Sequence, residues 1–467
     1  MPLIRVPEGV LPAPRQGQMP PPVSLRKMLG PGIILVGLSI GSGEFVLWPR
    51  LTAEFGFVLF WACWIGVTIQ FFLNMEISRY TLATGESAIT GFVRLSRWLG
   101  PVFLVCATLP WVWPGWATGA GTLLSWEFGG SVTVYAIAGL LGCGVVLSLG
   151  PVVYRTIEVI QITLVATVFA LVLTLAFMVI RWDSIAALGA GAFRFGYVPD
   201  GLHLPLLLGA LAFAGVGGTG NLAQSNYIKD KGYGMGKWIG RITSPLTGRD
   251  EATSEVGVVF DRSDLNLQHW AVWWRRANVE HFFSFYLLCL LSLALFCLLT
   301  HALLGEGSSA TEGLGFIQDQ ASMLQTRFGP LARHAFIGAG VAVLLSTEIG
   351  LLDSVARVSV DVFAASFPRK GGWPLSRLYF VFLWLMIGFG VLVLSAGFNQ
   401  PLELLVLSAA LNAVVMFLYS GLLIWLNVRS FEAPLRPSPL RIAALCASFL
   451  FFGYFSVITI ADQLSKL

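Results

Sequence analysis

Gly41-Ser42-Gly43-Glu44 and Gly218-Thr219-Gly220-Asn221 each lie in the middle of a long apolar run, and their reading decides the fold. Both run glycine, small hydroxyl, glycine, then a carboxylate or carboxamide. Glycine loses more backbone freedom on ordering than any other residue and weakens a helix. Two glycines around a Ser or Thr, deep in an apolar span, are therefore a place for a helix to unwind. Unwound backbone at membrane depth survives only where protein covers it or a polar cavity meets it. Matched interruptions in two halves of a chain point to a transporter's substrate site. The alternative is close helix packing through small residues.

Working outward, the whole chain is built of such runs. Of its 467 residues 56% are hydrophobic and only 12% charged, against about 25% charged in soluble domains. Mean hydropathy is +0.77. The composition specifies an all-α integral membrane protein and makes the lipid bilayer its first partner. The net charge of +4 carries no nucleic-acid signal in this setting. The six cysteines all fall inside apolar runs without metal-type spacing, so they read as buried hydrophobes and no disulfides are expected. No phosphate loop, nucleophile elbow or histidine cluster is present, which leaves an enzyme reading without support, and no cofactor is called for.

Residues 1–27 are rich in Pro and lack the apolar core of a signal peptide, so they read as a flexible cytosolic tail. Residues 28–467 form one transporter domain with about eleven spans: 29–53, 57–80, 101–125, 131–150, 155–180, 203–228, 279–303, 334–362, 377–397, 401–427 and 440–461. With the N-terminus in the cytosol, only six of 29 basic residues face outward: Arg50, Arg181, Arg194, Arg327, Arg333 and Lys466. The positive-inside rule then places the C-terminus outside, and the expected residence is the plasma (inner) membrane. Repeat 1 (about 29–180) and repeat 2 (about 203–427) each open on an interrupted helix. An odd number of spans per repeat inverts the second copy, giving a 5+5 inverted repeat with broken helices 1 and 6 and an accessory helix at 440–461. Loop 229–276, with Lys229, Lys231, Lys237, Arg241, Arg249 and Arg262, ends in a Trp- and Arg-rich stretch, 267–276, that reads as a membrane-surface helix.

Glu44 is the sharpest candidate for chemistry, because a carboxylate at bilayer depth needs a cavity or a partner. Asn221, Gln224 and Ser225 stand at i, i+3 and i+4, on one helical face. In span 8, Ser346 and Thr347 offer hydroxyls and Glu348 a deep carboxylate, whereas Asp353 and Arg357 read as a local ion pair. Glu76 with Arg79, and Glu158 with Arg155, read the same way.

With these residues placed, the chain resembles the Nramp family of divalent-metal transporters. The resemblance rests on Gly30-Pro31-Gly32, on the stretch from Ser78 to Gly85, on Tyr154-Arg155-Thr156-Ile157-Glu158, and on the layout from Gly209 to Asn221. It implies the LeuT-type inverted-repeat fold and alternating access. The metal motifs depart from the family: Gly41 stands where the resemblance implies the metal-binding Asp, and Glu44 where it implies Asn. Gly218 and Gly220 stand where it implies Met and His. The acid of span 3 and the arginines of span 9 that resemble a proton path are absent, so weak or no proton coupling is expected.

A site without soft sulfur suits hard cations such as Mg²⁺ or Mn²⁺ held by Gly41, Ser42, Glu44, Gly218, Thr219, Asn221, Gln224 and Ser225. The transported cation is then the one ion implied, and Glu44→Gln is expected to weaken its binding at least about tenfold. The resemblance also leaves open a small organic solute between helices 1 and 6, with Na⁺ near Ser346, Thr347 and Glu348. A sensor that kept the fold without turnover is the third reading.

Overall fold

The computed structural model describes residues 3–7, 11–150, 153–242, 256–307, 313–367 and 374–464. Lys466 and Arg249, counted above among the basic residues, lie outside them. Nine helices among the described residues are long and apolar enough to cross a membrane. The two other expected spans, 101–125 and 203–228, are both interrupted.

Strand β1 (Arg15–Gly17) precedes helix α1 (Pro31–Phe55). The first half of the chain continues with α2 (Phe60–Thr84), α3 (Ala88–Leu95), α4 (Leu99–Thr108), α5 (Gly115–Phe128), α6 (Val132–Leu149), α7 (Val153–Val179) and α8 (Trp182–Ala192). The interrupted sixth segment comprises α9 (Leu204–Ala212), α10 (Gly218–Leu222) and α11 (Gln224–Lys231). After β2 (Val258–Phe260) come α12 (Asp264–Leu304), α13 (Gly315–Phe328), α14 (Pro330–Ser366), α15 (Leu375–Ser395), α16 (Pro401–Ser430) and α17 (Pro439–Leu464).

The first helix is not broken, contrary to the expectation from Gly41 and Gly43. It runs through as α1, with a widened π-type stretch from Ile40 to Leu47. Wider turns keep backbone groups paired along the helix, and Ser39 Oγ donates to Glu44 Oε1 at 2.5 Å, tying the stretch across five residues. The glycines serve close approach instead. A Cβ on Gly43 would fall on the carbonyl oxygen of Phe213, and one on Gly41 would stand 2.9 Å from the carbonyl of Val343.

The sixth segment does break, but at Phe213–Gly217, just before the quoted stretch. Gly217 and Gly218 take φ of 80° and 49°, a region open to glycine at little steric cost. Thr219, Gly220 and Asn221 are already helical. A second break, unexpected from the sequence reading, separates α4 from α5 at Leu109–Pro114. Pro110 and Pro114 were its signal, since proline removes a helix donor and crowds the preceding turn.

The N-terminal segment, expected to be a free tail, is instead built into one end of the bundle. β1 pairs in parallel with β2, and Ile4 bridges Phe431. Arg94 donates to the carbonyls of Leu11 (3.2 Å) and Pro12 (2.8 Å). The Trp- and Arg-rich stretch is no separate surface helix. It is the first half of α12, which at 1.5 Å per residue is about 60 Å long, twice the apolar thickness of a bilayer of about 30 Å. Trp273 donates to Pro20 O at 2.8 Å and Arg276 to Val23 O at 2.6 Å. Arg79 lies 4.0 Å over the Trp274 ring. Aromatic and cationic groups here join tail to bundle.

Candidate functional site

The centre of the molecule is the contact between the π stretch of α1 and the break after α9. The broken backbone is satisfied by a residue the sequence reading passed over. Gln70, on α2, accepts from Gly217 N at 3.1 Å and from Asn221 Nδ2 at 3.2 Å, and donates to Ala212 O at 2.9 Å. A buried amide without such bonds costs about 2–7 kcal/mol, so Gln70 and the break stabilise each other. An amide deep in the apolar run 57–80, which holds only Gln70 and Asn74 of that kind, was the available signal.

Around the break stand the turn between α4 and α5, and α16. Trp111 stacks on Trp116 and on Phe213 with centroids 5.7 and 5.6 Å away, and Trp116 meets Phe213 at a tilt, 5.9 Å apart. Trp111 Nε1 donates to Thr219 Oγ1 at 2.8 Å, and Tyr419 OH lies 3.1 Å from Asn221 Nδ2. A Cβ on Gly218 would collide with the Asn412 amide. Three buried polar atoms of this group have no partner among the described residues: Asn221 Oδ1, Asn412 Oδ1 and Trp116 Nε1.

The sequence-predicted residues divide. Gly218, Thr219 and Asn221 lie at the break, and Gly41 and Gly43 lie close by on α1. Glu44 turns away. Its carboxylate bonds Ser39, whose hydroxyl also lies 3.8 Å from Cys289 Sγ of α12. Ser42 bonds back to Ser39 O at 3.3 Å within its own helix. Gln224 donates to Ser78 Oγ at 2.8 Å, and Ser225 Oγ accepts from Ala88 N at 3.1 Å, so both tie α11 to the α2–α3 corner. Glu44 and Asn221 thus bond to different neighbours, Ser39 for the first and Gln70 and Tyr419 for the second. Among the described residues no group of three His, Cys, Asp or Glu could hold a metal ion.

The span 8 candidates are also structural links. Thr347 Oγ1 accepts from Gly41 N (3.1 Å) and donates to Gly37 O (2.9 Å). Ser346 Oγ donates to Gln161 Oε1 at 2.8 Å. Glu348 Oε2 is buried without a hydrogen-bond partner among the described residues.

The ion pairs are less local than their spacing implied. Arg357 bonds both oxygens of Asp353 at 2.8 Å, as expected, and reaches Asp230 of α11 as well. Glu158 pairs across the bundle with Lys231, and Lys229 holds Asp361 at 2.9 Å. Three consecutive residues, Lys229, Asp230 and Lys231, thereby clasp α11 to α14 and α7. The pair Glu76–Arg79, at 2.7 Å, matches its reading. All six cysteines are unpaired.

No protein-family model matches the sequence, and no curated protein does. Solved structures do. A manganese transporter of Eremococcus coleocola, solved as single-residue variants, superposes with TM-scores of 0.68 and 0.69 at 14% identity. The match covers 98% of this chain and 91% of the transporter. The chain has the Nramp-like, LeuT-type transporter fold. Mhp1, a nucleobase-cation-symport-1 family transporter solved closed with bromovinylhydantoin bound, superposes at a TM-score of 0.51 and 13% identity, over 98% of this chain and 96% of Mhp1. At these identities the likeness is one of fold. Within the LeuT-type frame, α1 is the first core helix and α9–α11 the sixth, and they meet at Gly43 and Phe213.

Because the Glu44 carboxylate bonds Ser39 beside α12, Glu44→Gln is expected to leave the protein folded. The amide oxygen still accepts the Ser39 bond. Size exclusion after a thermal ramp in detergent checks this, and aggregation of Glu44→Gln protein would show that the carboxylate itself is needed to hold α1 in place.

Proposed function

We propose that this chain is a secondary transporter working by alternating access, and that its cargo is a small organic solute bearing both hydrogen-bond donors and acceptors. The observation that carries the reading is the interrupted backbone at Phe213–Gly217, ringed by Asn221, Asn412 and Trp116, whose unpartnered atoms are two acceptors and one donor. Irregular backbone at membrane depth belongs where a polar path or ligand is handled. The fold carries both metal and organic cargo among its solved neighbours, so the choice falls to the site. Amide oxygens, an indole N–H and a stacked aromatic wall suit an organic solute, and the turning away of Glu44 disfavours a divalent cation held between α1 and α10.

The test is uptake by purified protein in proteoliposomes, with Mn²⁺, Mg²⁺ and a panel of amino-acid-like and cyclic-amide solutes offered separately. Saturable uptake of an organic solute is the expected result. Trp116→Phe keeps the ring and removes the N–H, so it should raise the KM for that solute about tenfold, equivalent to one lost hydrogen bond of about 1.4 kcal/mol. Saturable uptake of Mn²⁺ or Mg²⁺ alone would return the divalent-cation reading to first place. A fluorescent pH indicator inside the vesicles reads proton coupling in the same assay, and weak or absent coupling is the expected outcome.

A further inference from the structure

Away from the central break, a small cavity of about 40 Å³ lies between α11, α14, the turn into α3 and the backbone at Gly240 and Gly257. Asn226, Lys229 and Asp230 of α11 line it at i, i+3 and i+4, the spacing that puts three side chains on one helical face. Ser87 and Thr90 face them from the start of α3, and Asp361 from α14.

The acidic groups of this cavity are already engaged. Both oxygens of Asp361 accept from Lys229 Nζ, at 3.1 and 2.9 Å. Asp230 is held by Arg357, which also carries Asp353. Glu86 accepts from Arg94 at 2.7 and 2.8 Å, from Gly257 N at 2.9 Å and from Tyr80 OH at 3.1 Å. The Ser87 and Thr90 hydroxyls bond each other at 2.9 Å. What the cavity leaves unspent is donor capacity. Asn226 is only 3% exposed and its Nδ2 has no partner among the described residues. An ammonium has three donors, so Lys229 retains one beyond the two it gives Asp361.

We propose that this cavity binds a small oxyanion, a carboxylate or phosphate group, between Asn226 Nδ2 and Lys229 Nζ. The anion competes with Asp361 for Lys229. Binding therefore loosens one of the three ties that clasp α11 to its neighbours, and the site is placed to regulate movement of the sixth segment's second half. Nothing in the proposal depends on what the central site carries.

The test uses the full-length protein in detergent at fixed pH and ionic strength, titrated by calorimetry with acetate and with inorganic phosphate, chloride serving as the control anion. Saturable heat from one or both oxyanions is expected, and the stronger of the two identifies the source chemistry. Asn226→Leu should weaken that binding at least tenfold. Asp361→Asn should strengthen it, because Lys229 loses its competing carboxylate; a merely structural role for Asp361 would not produce tighter binding. Should Asn226→Leu fail to fold, Asp361→Asn decides alone. No saturable binding of either anion to the parent overturns the proposal, as does Asp361→Asn protein that binds no more tightly than the parent. Because binding is read without vesicles, a protein that binds the anion but moves no solute would sink the transport reading and leave this site standing.

Discussion

Replacing Arg357 with methionine is expected to abolish monodisperse, folded protein. The guanidinium is fully buried and answers two carboxylates, Asp353 at 2.8 Å and Asp230 on α11. Tyr379 OH adds a bond to Asp353 Oδ1 at 2.8 Å, and the Tyr227 and Tyr379 rings lie 5.7 and 5.8 Å from the cation. Methionine matches the stem but leaves two buried anions unanswered, and breaking a buried pair in this way costs about 3–5 kcal/mol. Arg357→Lys should recover only part of the loss, since a point charge cannot serve two carboxylates with a planar fork. The triple change Arg357→Met, Asp353→Asn, Asp230→Asn removes the charges together and should be more stable than Arg357→Met alone. Size exclusion after a thermal ramp in detergent reads all three. Parent-like stability of Arg357→Met would show that the cluster is not a structural tie.

Gly43→Ala is expected to stop transport. An ideal Cβ there would coincide with the Phe213 carbonyl oxygen and stand 3.1 Å from Phe213 Cβ. The obstacle is backbone, so no rotamer change relieves it, and α1 must draw back from the break. Overpacking of this kind costs about 1–3 kcal/mol, which a membrane domain of this size can survive in folded form. The uptake assay is more sensitive, because the displaced contact is the one where the first and sixth segments meet. Gly142→Ala is the control: a Cβ at Gly142, on α6, meets nothing within 4 Å. Equal uptake by the two variants would show that the contact between α1 and α9 has no part in moving cargo.

Much of this molecule was legible before any fold was seen. Some apolar runs matched their helices to within two residues, as in 131–150 against Val132–Leu149 and 377–397 against Leu375–Ser395, whereas 279–303 is only the later part of Asp264–Leu304. That works because length and apolarity are local properties, and a bilayer demands both of every span. The Trp-rich stretch 267–276 was misjudged for the opposite reason. Its tryptophans satisfy either a lipid surface or a protein partner, and only the presence of the Pro20–Val23 carbonyls selects the second.

The same distinction separates the two quoted stretches. Glycine content marked both as places of unusual backbone, and that much the sequence by itself determined. Whether the glycines meant a break or a close contact was decided by neighbours far along the chain. Gly41 meets Thr347, 306 residues away, and keeps its helix. Gly217 finds its partner in Gln70, 147 residues away, and the helix gives way. Likewise the sequence placed Glu44 in an apolar run, while its partner, Ser39 beside Cys289 of α12, came only from the packed bundle. A helix needs only its own backbone to form, whereas the face a side chain presents is chosen by what packs against it. Span positions could therefore be read from the chain, and the walls of the site only from the packed bundle.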